Sequence, residues 1–523
     1  MTAELPRALG VVGAGTMGAG IAQLGVLAGL DTYLHDPFPE ALERGGERVH
    51  RGLARGVERE RWSEEEATAA EARLVLAGSL EELSGCELVI EAAPERIELK
   101  RELFERLAEV CGPETVIATN TSSILVSSLA SAAARPESVV GMHFFNPPPA
   151  MELLEVIAAT QTGERALALA RAVGEAMGKR VIVASDGPGF LVNRCGRPFG
   201  AEALRLLQER VATHEQIDRI CRLGGGFRMG PFELMDLVGI DVGFEVAKSF
   251  DAQSFGEPRW KPNLLQARMV ASGLLGRKTG AGWYSYAEGE RHRPEDPPPP
   301  VAGDGGGRRV AIDGAGELAR ELRTRAAAAG FDAREPGEFG GEDEPELVLD
   351  ASVPAPVSDL GTTAGGVPTA VLCADTSLHA RGEPSACGFH LLPPVEHARL
   401  VELTRLPSTP DDVCQAFEEF FSALGLHTEW VGDGPGLVLG RIVCQLVNEA
   451  AFAIGEGVGS AADVDIGLTL GLNHPRGPVE WGRRIGLDHV LATVDGLWDE
   501  LRDPRYRAAP LLRRAVGSGG DLG

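Results

Sequence analysis

A histidine and a glutamate twelve residues apart are the first residues that suggest chemistry. His143 follows a short apolar run, and Glu155 ends the proline-stiffened stretch GMHFFNPPPAMELLE, which spans residues 141–155. A carboxylate beside an imidazole fixes its tautomer and raises its basicity, which suits a general base near neutral pH. The alternative is a core histidine at a strand end with an unrelated surface glutamate, and the pair alone does not decide between the two.

A glycine-rich turn near the start of the chain predicts a dinucleotide site. Residues 8–12 read as a buried strand, residues 32–35 read as a second one, and a helix to about Leu30 lies between them. The turn that opens this helix consists of Gly13, Ala14, Gly15, Thr16, Met17 and Gly18. In this pattern the first glycine permits a tight turn, the second lets a pyrophosphate approach the backbone, and the third allows close packing of helix and strand.

The acid that follows the second strand predicts which dinucleotide binds. Asp36 comes 18 residues after Gly18, where a carboxylate accepts hydrogen bonds from both ribose hydroxyls. The same carboxylate repels a 2′-phosphate, so NAD is favoured over NADP. Residues 40–75, which are dense in arginine and glutamate, read as a helical hairpin inserted after this strand, with a solvated charged face.

Polar residues follow the next predicted strands, which cover residues 88–90, 116–118 and 139–142. Ligands bind at the carboxyl ends of strands in open α/β sheets, so these positions are candidates for a site. Taken singly, Glu95 and Lys100 are ordinary helix-surface charges, and Ser122 is equally suited to cap a helix over residues 124–129. From Leu191 the pattern becomes helical, and Asn193 in its first turn is either a cap or a ligand contact.

The composition narrows the class of protein. The chain has 523 residues, which is too long for one core, and its net charge of −26 argues against nonspecific binding to nucleic acid or an anionic membrane. We find no secretory signal and no apolar run of about 18 residues. The eight cysteines include no CxxC pair, which predicts a reduced cytoplasmic protein with no metal site.

Six ordered blocks of the first half resemble the NAD-dependent L-3-hydroxyacyl-CoA dehydrogenase family, in its fused two-unit form. The blocks are GAGTMGAGIA, EAAPE, TNTSS, GMHFFNPPPAMELLEVI, DGPGFLVNR and RKTGAGWY, and the match covers residues 8–286. Members of this family oxidise the 3-hydroxyl group of an acyl-CoA to a ketone with NAD, in fatty-acid or aromatic-acid (phenylacetate-type) catabolism. The resemblance therefore implies an acyl-CoA substrate, with fused relatives associated with 3-hydroxyadipyl-CoA or 3-hydroxybutyryl-CoA.

The resemblance also implies roles for individual residues. It makes His143 the catalytic base and Glu155 its partner, and it places Ser122 and Asn193 against the substrate. The residues that it places at NAD, besides the glycine turn, are Asp36, Glu95, Lys100, Ser122, Asn146 and Lys278. Hydrogen bonds from Ser122 and Asn193 to oxygens that gain charge would supply electrostatic stabilisation.

We expect an α/β Rossmann-type domain and an all-α domain, followed by a degenerate Rossmann-like domain and a second all-α domain. The predicted boundaries are 1–185, 186–287, 309–432 and 433–523, with a proline- and glycine-rich linker over 288–308. The second half reads as a decayed copy, in which Gly314-Ala315-Gly316 mimics Gly13-Ala14-Gly15 and the acid is blurred into residues 334–338. Asp375-Thr376-Ser377 echoes residues 120–122.

The second half resembles the first more closely around its histidine and glutamate than around its glycine turn. His390 and Glu402 repeat the twelve-residue spacing, and Asp433 opens a second copy of the turn at residue 186. Asn193 becomes Gly440 and Asn146 becomes Pro393, so we expect a structural copy without activity. We hypothesise that the two helical domains pack as an internal pseudo-dimer, and a homo-oligomer of the whole chain stays open.

Two other functions fit parts of the sequence. Related folds oxidise gulonate-type sugar acids at the 3-hydroxyl, which requires polar residues around the substrate hydroxyls. A nucleotide-binding protein that lost turnover is the other alternative, and the complete set of His143, Glu155 and Asn193 argues against it. Acyl chain length, and acceptance of a terminal carboxylate, are not readable; Arg194 and Arg197 near Asn193 are interpreted as helix-surface residues.

Overall fold

The computed structural model describes residues 4–287, 292–340, 343–353 and 366–523. Within them the chain forms two sheets. The strands are β1 (Ala8–Val12), β2 (Asp31–His35), β3 (Leu74–Ala77), β4 (Leu88–Glu91), β5 (Val116–Thr119), β6 (Val139–Phe144), β7 (Leu153–Ala158), β8 (Arg180–Ser185), β9 (Arg309–Asp313), β10 (Asp332–Arg334), β11 (Leu347–Asp350), β12 (Thr369–Leu372), β13 (Cys387–His390), β14 (Leu400–Thr404) and β15 (His427–Trp430).

The helices fall into a layer around each sheet and two all-helical domains. They are α1 (Thr16–Leu27), α2 (Pro39–Glu58), α3 (Glu64–Glu71), α4 (Ile97–Val110), α5 (Val126–Ala130), α6 (Glu164–Ala176), α7 (Val192–Gln208), α8 (His214–Leu223), α9 (Pro231–Val238), α10 (Ile240–Gln253), α11 (Leu264–Ala271), α12 (Glu317–Ala328), α13 (Leu378–Arg381), α14 (Asp411–Ala423), α15 (Leu439–Gly455), α16 (Ala461–Ile466), α17 (Pro478–Ile485), α18 (Leu487–Leu501) and α19 (Pro510–Ser518). The expected order of α/β, helical, α/β and helical domains is confirmed; the exact boundaries, and residues 288–291 of the predicted linker, which lie outside the described part, stay predictions.

The chain divides into two compact units, each of which is continuous in space but not in sequence. The first unit contains residues 1–194 and 457–472, and the second contains residues 195–456 and 473–523. The first unit is built on the sheet β3-β2-β1-β4-β5-β6-β7-β8, and the second contains β10-β9-β11-β12-β13-β14-β15. The apolar strands are buried on both faces, as parallel sheets covered by helices require.

In the first unit the predicted strands and the helical hairpin are confirmed, and two strands were missed. The hairpin consists of α2 and α3, and α3 begins with a Ser63–Glu66 capping box. The missed strands are β3 and β7. Strand β7 runs antiparallel to β6 in a sheet that is otherwise parallel, and its register sets Glu155 directly opposite His143.

A segment from the second helical copy belongs to the first unit. Residues 457–472 contain α16 and a π-helical turn, Gly467–Gly471. The Ser185 N–H donates a hydrogen bond to the Val458 carbonyl over 2.8 Å, which continues the edge of β8. Three glycines of the segment allow close approach. A Cβ at Gly459 would lie 2.5 Å from Leu191, one at Gly467 would lie 2.8 Å from Val192, and one at Gly471 would lie 2.8 Å from Leu153.

The second unit packs the two helical domains against each other through buried ion pairs. Arg441 of α15 pairs with Glu202 and Glu209 of α7 at 3.0 and 2.6 Å, and its guanidinium also donates to the Tyr506 hydroxyl. Arg259 pairs with Glu449 at 2.6 Å. Because a buried charge without a partner is costly, these pairs fix the register of the helices.

The described start of the predicted linker is anchored within the second unit. Glu233 of α9 accepts hydrogen bonds from His292 at 2.7 Å and from Arg293 at 2.9 Å. Asp296 accepts from Arg222 at 2.7 Å. Burial raises the pKa of Glu233, but the hydrogen bond from His292 and the charges of Arg222 and Arg293 outweigh burial and leave that pKa lowered. The segment that follows the first helical domain is therefore held by charge rather than left as a free spacer.

Candidate active site

The glycine turn after β1 has the geometry that a dinucleotide requires. Gly13 has a φ of +102°, and a Cβ there would lie 2.6 Å from the Ala92 carbonyl oxygen. A Cβ at Gly18 would lie 1.7 Å from the Gly13 oxygen, so no side chain fits between turn and helix. A Cβ at Gly15 would meet nothing within 4 Å. The first and third glycines are thus demanded by packing, while the second leaves the α1 N-terminus open to a phosphate.

Asp36 lies at the end of β2 and faces the glycine turn. Its Oδ2 accepts a hydrogen bond from the Ala14 N–H at 2.9 Å, and its Oδ1 accepts one from the Phe38 N–H at 3.0 Å. Each oxygen keeps a further lone pair, so the carboxylate can still accept from ribose hydroxyls. Thr16 is exposed and Met17 is half-buried on the same turn.

A buried ion-pair network supports the loop after β4. Lys100 is 1% exposed, and its ammonium pairs with Glu91 at 2.6 Å and with Glu95 at 3.4 Å. Burial raises the pKa of Glu95, but Lys100 and hydrogen bonds from Thr121 and Ser123 outweigh it and leave that pKa lowered. Lys100 is therefore not a surface charge. Its structural task is to hold Glu91 and Glu95 at the strand end.

Glu95 in turn organises the loop after β5. Its Oε1 accepts from the Thr121 hydroxyl at 2.5 Å and from the Ser122 N–H at 3.1 Å. The Ser122 side chain is exposed, and α5 begins only at Val126 with Leu125 as its cap residue. The alternative role of Ser122 as a helix N-cap is therefore wrong.

The loop containing Ser122 is tied to the strand that carries the histidine. The Asn120 Oδ1 accepts a hydrogen bond from the Phe144 N–H at 2.9 Å, directly after His143. Strands β5 and β6 are also paired neighbours, with Thr119 opposite Gly141. Asn120 is a positioning residue that the sequence comparison did not single out, although it lies within the TNTSS block.

His143 and Glu155 form the central contact of the first unit. The imidazole Nδ1 lies 3.0 Å from Glu155 Oε2, and both side chains are buried. Because Glu155 is an acceptor, Nδ1 carries the proton and Nε2 keeps its lone pair. The ring lies against Phe145 and Phe190, with centroids 4.6 and 5.9 Å away. The interpretation of His143 as a core histidine with an unrelated glutamate is therefore wrong.

The turn before α7 holds the other side of Glu155, which sequence reasoning missed. Oε1 accepts from the Leu191 N–H at 2.7 Å and from the Val192 N–H at 3.2 Å, so one oxygen takes both backbone donors. Phe190 adopts a φ of +52° to aim these groups inward. Asp186, at the start of the turn, accepts from the Val126 and Ser127 N–H groups. The only sequence signal for this turn was the DGPGF block at residues 186–190.

The remaining predicted site residues lie in different parts of the chain. Asn193 is half-buried in the first turn of α7, and Asn146 is exposed just after β6. Lys278 belongs to the second unit, where it is 45% exposed and forms an ion pair with Asp241. The contacts of these residues with NAD or substrate stay predictions.

The second unit repeats the histidine–glutamate pairing across two strands, but without the hydrogen bond. His390 is opposite Glu402 across β13 and β14, but the imidazole Nδ1 lies 3.9 Å from the nearest carboxylate oxygen. One oxygen of Glu402 instead accepts a hydrogen bond from the Val438 N–H, and the other accepts one from the Leu439 N–H. A Cβ at Gly440 would lie 2.2 Å from His390 Cε1, so the ring fills the space that a side chain would need.

The electrostatics of the second pair follow from its burial. Burial, with a smaller contribution from His489, lowers the pKa of His390 to about 3. Burial likewise raises the pKa of Glu402 to about 8, against its two backbone donors. In the described part of the chain neither ring nitrogen of His390 has a hydrogen-bond partner. The imidazole is therefore neutral, and no acid holds its tautomer.

The register of the second sheet corrects one sequence match. Val371 pairs with Gly388 as Thr119 pairs with Gly141, which aligns Ala374 rather than Ser377 with Ser122. Asp433 supports this shift, because it accepts from the Leu378 and His379 N–H groups as Asp186 accepts from residues 126 and 127. Ser377 lies three residues further on. The second copy thus has no serine at the position that corresponds to Ser122.

The nucleotide turn is also altered in the second copy. Strand register aligns Gly337 with Asp36, so the blurred acid is replaced by glycine. Asp313 stands at the position of Val12, and its carboxylate accepts from the Gly314 N–H at 2.8 Å. A negative charge on the turn itself repels a pyrophosphate. The part of this copy that would correspond to α4 falls in residues 354–365, outside the described residues.

The described residues offer neither a metal cluster nor a membrane-spanning helix. They contain no group of three or more His, Cys, Asp or Glu side chains able to hold a metal ion. None of their helices is both long and apolar enough to cross a membrane. All eight cysteines are buried and unbridged.

Comparison with known proteins agrees with this geometry. The NAD-binding domain of the 3-hydroxyacyl-CoA dehydrogenase family matches residues 8–187, and its C-terminal domain matches twice, at residues 189–286 and 436–521. A 3-hydroxyadipyl-CoA dehydrogenase of Escherichia coli is 33% identical over 97% of both chains. A 3-hydroxybutyryl-CoA dehydrogenase of Bradyrhizobium diazoefficiens is 39% identical; the match spans 54% of this chain and 97% of that one.

Solved structures give the same result. The crystal structure titled 3-hydroxybutyryl-CoA dehydrogenase from Escherichia coli K12 matches with a TM-score of 0.83 and 31% identity, over 99% of this chain and all of that chain. The (S)-3-hydroxybutyryl-CoA dehydrogenase of Ralstonia eutropha matches 54% of this chain, with a TM-score of 0.52 and 38% identity. With both domains of the family matched, and the C-terminal one twice, the chain belongs to the NAD-dependent 3-hydroxyacyl-CoA dehydrogenases.

Proposed function

We propose that the first half oxidises the 3-hydroxyl group of an acyl-CoA at His143, and that the second half is a silent copy. The observation that carries the proposal is the 3.0 Å contact between His143 Nδ1 and the buried Glu155 carboxylate. The names of the full-length relatives support a CoA thioester substrate, but they differ between adipyl and butyryl chains. A role in fatty-acid or aromatic-acid catabolism follows from the same substrate class.

The proton of the substrate hydroxyl passes to His143. With Nδ1–H donating to Glu155 Oε2, the lone pair on Nε2 is the only basic position of the ring. As the proton arrives, the imidazolium is stabilised by a carboxylate that Leu191 and Val192 already hold in place. When bound, NAD supplies the acceptor for the hydride that leaves C3 of the substrate.

Ser122 and Asn193 are proposed to donate hydrogen bonds to the substrate oxygens. Ser122 is exposed at the end of β5, and the backbone around it is fixed by Glu95 and Lys100. A donor whose position is set before the substrate binds needs no reorganisation when charge develops. Glu95 and Lys100 therefore act on the reaction by positioning this loop.

The residues around the glycine turn fit NAD. Gly15 leaves the α1 N-terminus open, and Asp36 keeps acceptor capacity toward a ribose. The second turn does not fit, because Asp313 adds a charge and Gly337 removes the acid. We therefore expect one NAD per chain.

The second half is proposed to serve as the internal partner of the first. Relatives that match over about half of this chain consist of a single unit. Here Arg441 and Arg259 join the two helical domains through buried carboxylates, as an interface between two such units would. The fused arrangement supports an internal pseudo-dimer, and assembly of whole chains is a separate question.

The decisive experiment mixes the purified full-length protein with NADH and acetoacetyl-CoA and follows NADH absorbance, with an NADH titration in parallel. We expect turnover, and saturation at one NADH per chain. Turnover of L-gulonate with NAD, but not of the CoA thioester, would favour the sugar-acid alternative. Saturable NADH binding without either reaction would favour a non-catalytic nucleotide-binding protein, and two NADH per chain would contradict a silent second half.

A further inference from the structure

Asp186 joins two segments of the first unit that are far apart in sequence. Its Oδ1 accepts a hydrogen bond from the Val126 N–H at 3.1 Å, and its Oδ2 accepts one from the Ser127 N–H at 2.7 Å. These two groups begin α5, and the first N–H groups of a helix have no partner within it. Because Asp186 follows β8 directly, its carboxylate bridges the end of a strand and a helix that begins 60 residues earlier.

The start of α5 depends on this bridge more than its counterpart in the second half does. The residue before α5 is Leu125, which makes no side-chain hydrogen bond to the helix. In the second half, Asp433 accepts from the first two N–H groups of α13, and the Ser377 hydroxyl accepts from the third at 3.1 Å. Within the described part of the first half, Asp186 is therefore the side chain that caps this helix.

The loop that leads into α5 carries the proposed substrate donor. Residues 122–125, the serine loop, connect the end of β5 with this helix. Glu95 accepts from the Ser122 N–H at 3.1 Å, which fixes the beginning of the loop. Asp186 fixes its end through the first two N–H groups of α5. The serine loop is thus held at both ends by carboxylates from other parts of the first unit.

Asp186 also begins the turn that holds Glu155. Two backbone N–H groups at the end of that turn donate to Glu155 Oε1 at 2.7 and 3.2 Å. The other oxygen of Glu155 lies 3.0 Å from His143 Nδ1. From Asp186, one path of short contacts therefore leads to the imidazole, and another leads to the serine loop.

We propose that Asp186 is a positioning residue, which fixes the distance between the Ser122 hydroxyl and the His143 imidazole. The proposal rests on the proposed function of the first half, in which Ser122 donates to a substrate oxygen while His143 accepts a proton. Both groups must reach one substrate at the same time, and a displacement of about 1 Å can lower the rate about 100-fold. A carboxylate suits this task because each of its oxygens accepts one N–H group, whereas an amide has a single acceptor oxygen.

The second half contains the same bridge where it joins neither donor nor base. Asp433 makes the two equivalent backbone contacts, both at 2.8 Å. Ala374 stands where the first half has Ser122, and the His390 Nδ1 lies 3.9 Å from its glutamate. Loss of the bridge in the second half should therefore change stability without changing the reaction.

The test is a double-mutant cycle in the full chain, with kcat measured from NADH absorbance with acetoacetyl-CoA. Asp186→Asn should lower kcat about 30-fold and leave the KM for NADH unchanged, since the glycine turn is not affected. In a Ser122→Ala background the same substitution should lower kcat less than about threefold, because the hydroxyl that it displaces is absent. The matched control, Asp433→Asn, should leave kcat within about twofold of wild type.

Equal losses in the two backgrounds would indicate a merely structural role and overturn the proposal, as would wild-type kcat in Asp186→Asn. If that variant does not fold, Val126→Pro weakens the bridge from its other side. Proline is accepted at the first position of a helix, and it lacks the N–H that donates to Asp186 Oδ1. Its loss of kcat should depend on Ser122 in the same way, and a loss independent of Ser122 overturns the proposal.

Failure of the proposed function gives a different result. In that case the wild-type protein does not turn over acetoacetyl-CoA with NADH. If only the inference about Asp186 is wrong, the wild-type protein turns over this substrate and the cycle with Ser122 shows no coupling.

Discussion

The two histidine–glutamate pairs of this chain share their strand register and differ in which hydrogen bonds each glutamate oxygen accepts. In each pair the histidine lies opposite the glutamate across two antiparallel strands. Each glutamate also accepts two backbone N–H groups from the turn that opens the following helix. In Glu155 one carboxylate oxygen accepts both N–H groups, so the other oxygen is free to accept from His143. In Glu402 each carboxylate oxygen accepts one N–H group, and the His390 Nδ1 lies 3.9 Å from the nearest of these oxygens.

This difference teaches that spacing alone does not make a catalytic pair. A histidine and a glutamate at the right spacing are brought face to face in both halves, but the residue at the head of the next helix decides where the imidazole goes. Gly440 leaves room that the His390 ring occupies, whereas Asn193 fills the corresponding position in the first half. A small residue at this position thus accompanies a histidine that lies beyond hydrogen-bond distance of its glutamate.

The largest expected effect comes from removing each histidine in turn. His143→Gln should lower kcat by at least about 1,000-fold, because it removes the general base while keeping a polar side chain of similar size. His390→Gln should leave kcat within about twofold, since that ring has no hydrogen-bond partner among the described residues. NADH absorbance with acetoacetyl-CoA measures both variants.

NADH binding serves as the control for both histidine variants, and it should be retained in each. Full activity in His143→Gln would remove that residue from the mechanism. A large loss in His390→Gln, with folding and NADH binding intact, would contradict the silent second half.

The next effect concerns the pH dependence of stability. The pKa of Glu402 is raised to about 8 from an ordinary value of 4.5, so the folded protein binds its proton more tightly than the unfolded chain does. The stabilisation is complete below about pH 4.5 and is lost as pH rises through 8. Glu402→Gln removes this dependence, so relative to wild type it should gain about 2 kcal/mol or more between pH 5 and pH 9.

Urea unfolding of wild type and Glu402→Gln at both pH values measures this difference. The comparison between the proteins cancels other groups that titrate in the same range, such as Asp218, whose pKa burial raises to about 7. An unchanged difference between pH 5 and pH 9 would mean that Glu402 is ionised throughout, as an intact pair with His390 would require.

The smallest effect comes from the segment that the second helical copy contributes to the first unit. A Cβ at Gly471 would lie 2.8 Å from Leu153, 3.2 Å from Val192 and 3.3 Å from Phe145. Val192 holds Glu155 and Phe145 lies against His143, so Gly471→Val should displace the pair. We expect kcat to fall about tenfold with little change in the KM for NADH.

The matched control is Gly224→Val, which alters the same position of the other repeat. A Cβ there would lie 3.3 Å from Leu439, beside Glu402. Both variants should lower the melting temperature, but only Gly471→Val should lower kcat. An equal loss of kcat in both would point to general destabilisation instead.

Local patterns predicted the elements that depend on short-range chemistry. The strand before Gly13 and the helical hairpin follow from apolar runs, glycine and charge spacing, and the structure contains both. Strand β7 was missed because its fully buried residues do not alternate in polarity, and periodicity cannot distinguish such a run. The antiparallel pairing that sets Glu155 opposite His143 was therefore invisible, although the contact itself was anticipated.

Long-range contacts account for the rest of what the sequence did not predict. The choice of oxygen at Glu402 depends on backbone groups 36 and 37 residues away. The interpretation of Arg194 and Arg197 as helix-surface residues is wrong: Arg194 is buried, and the Arg197 guanidinium, with its Nε buried, lies over the Phe250 ring. Nothing near them in sequence reveals these distant contacts. The site roles of Asp36, Asn146 and Lys278 remain predictions that a complex with NAD would test.

The exchange of residues 457–472 into the first unit has a consequence for how this chain can change. The backbone leaves one compact unit at residue 194, returns at 457 and departs again at 472, so no single truncation releases the first unit intact. A second half that is silent, as proposed above, would in this chain still supply residues 457–472 to the unit that contains His143. We therefore expect the second half to tolerate changes in its chemical groups more readily than changes in the shape of this segment.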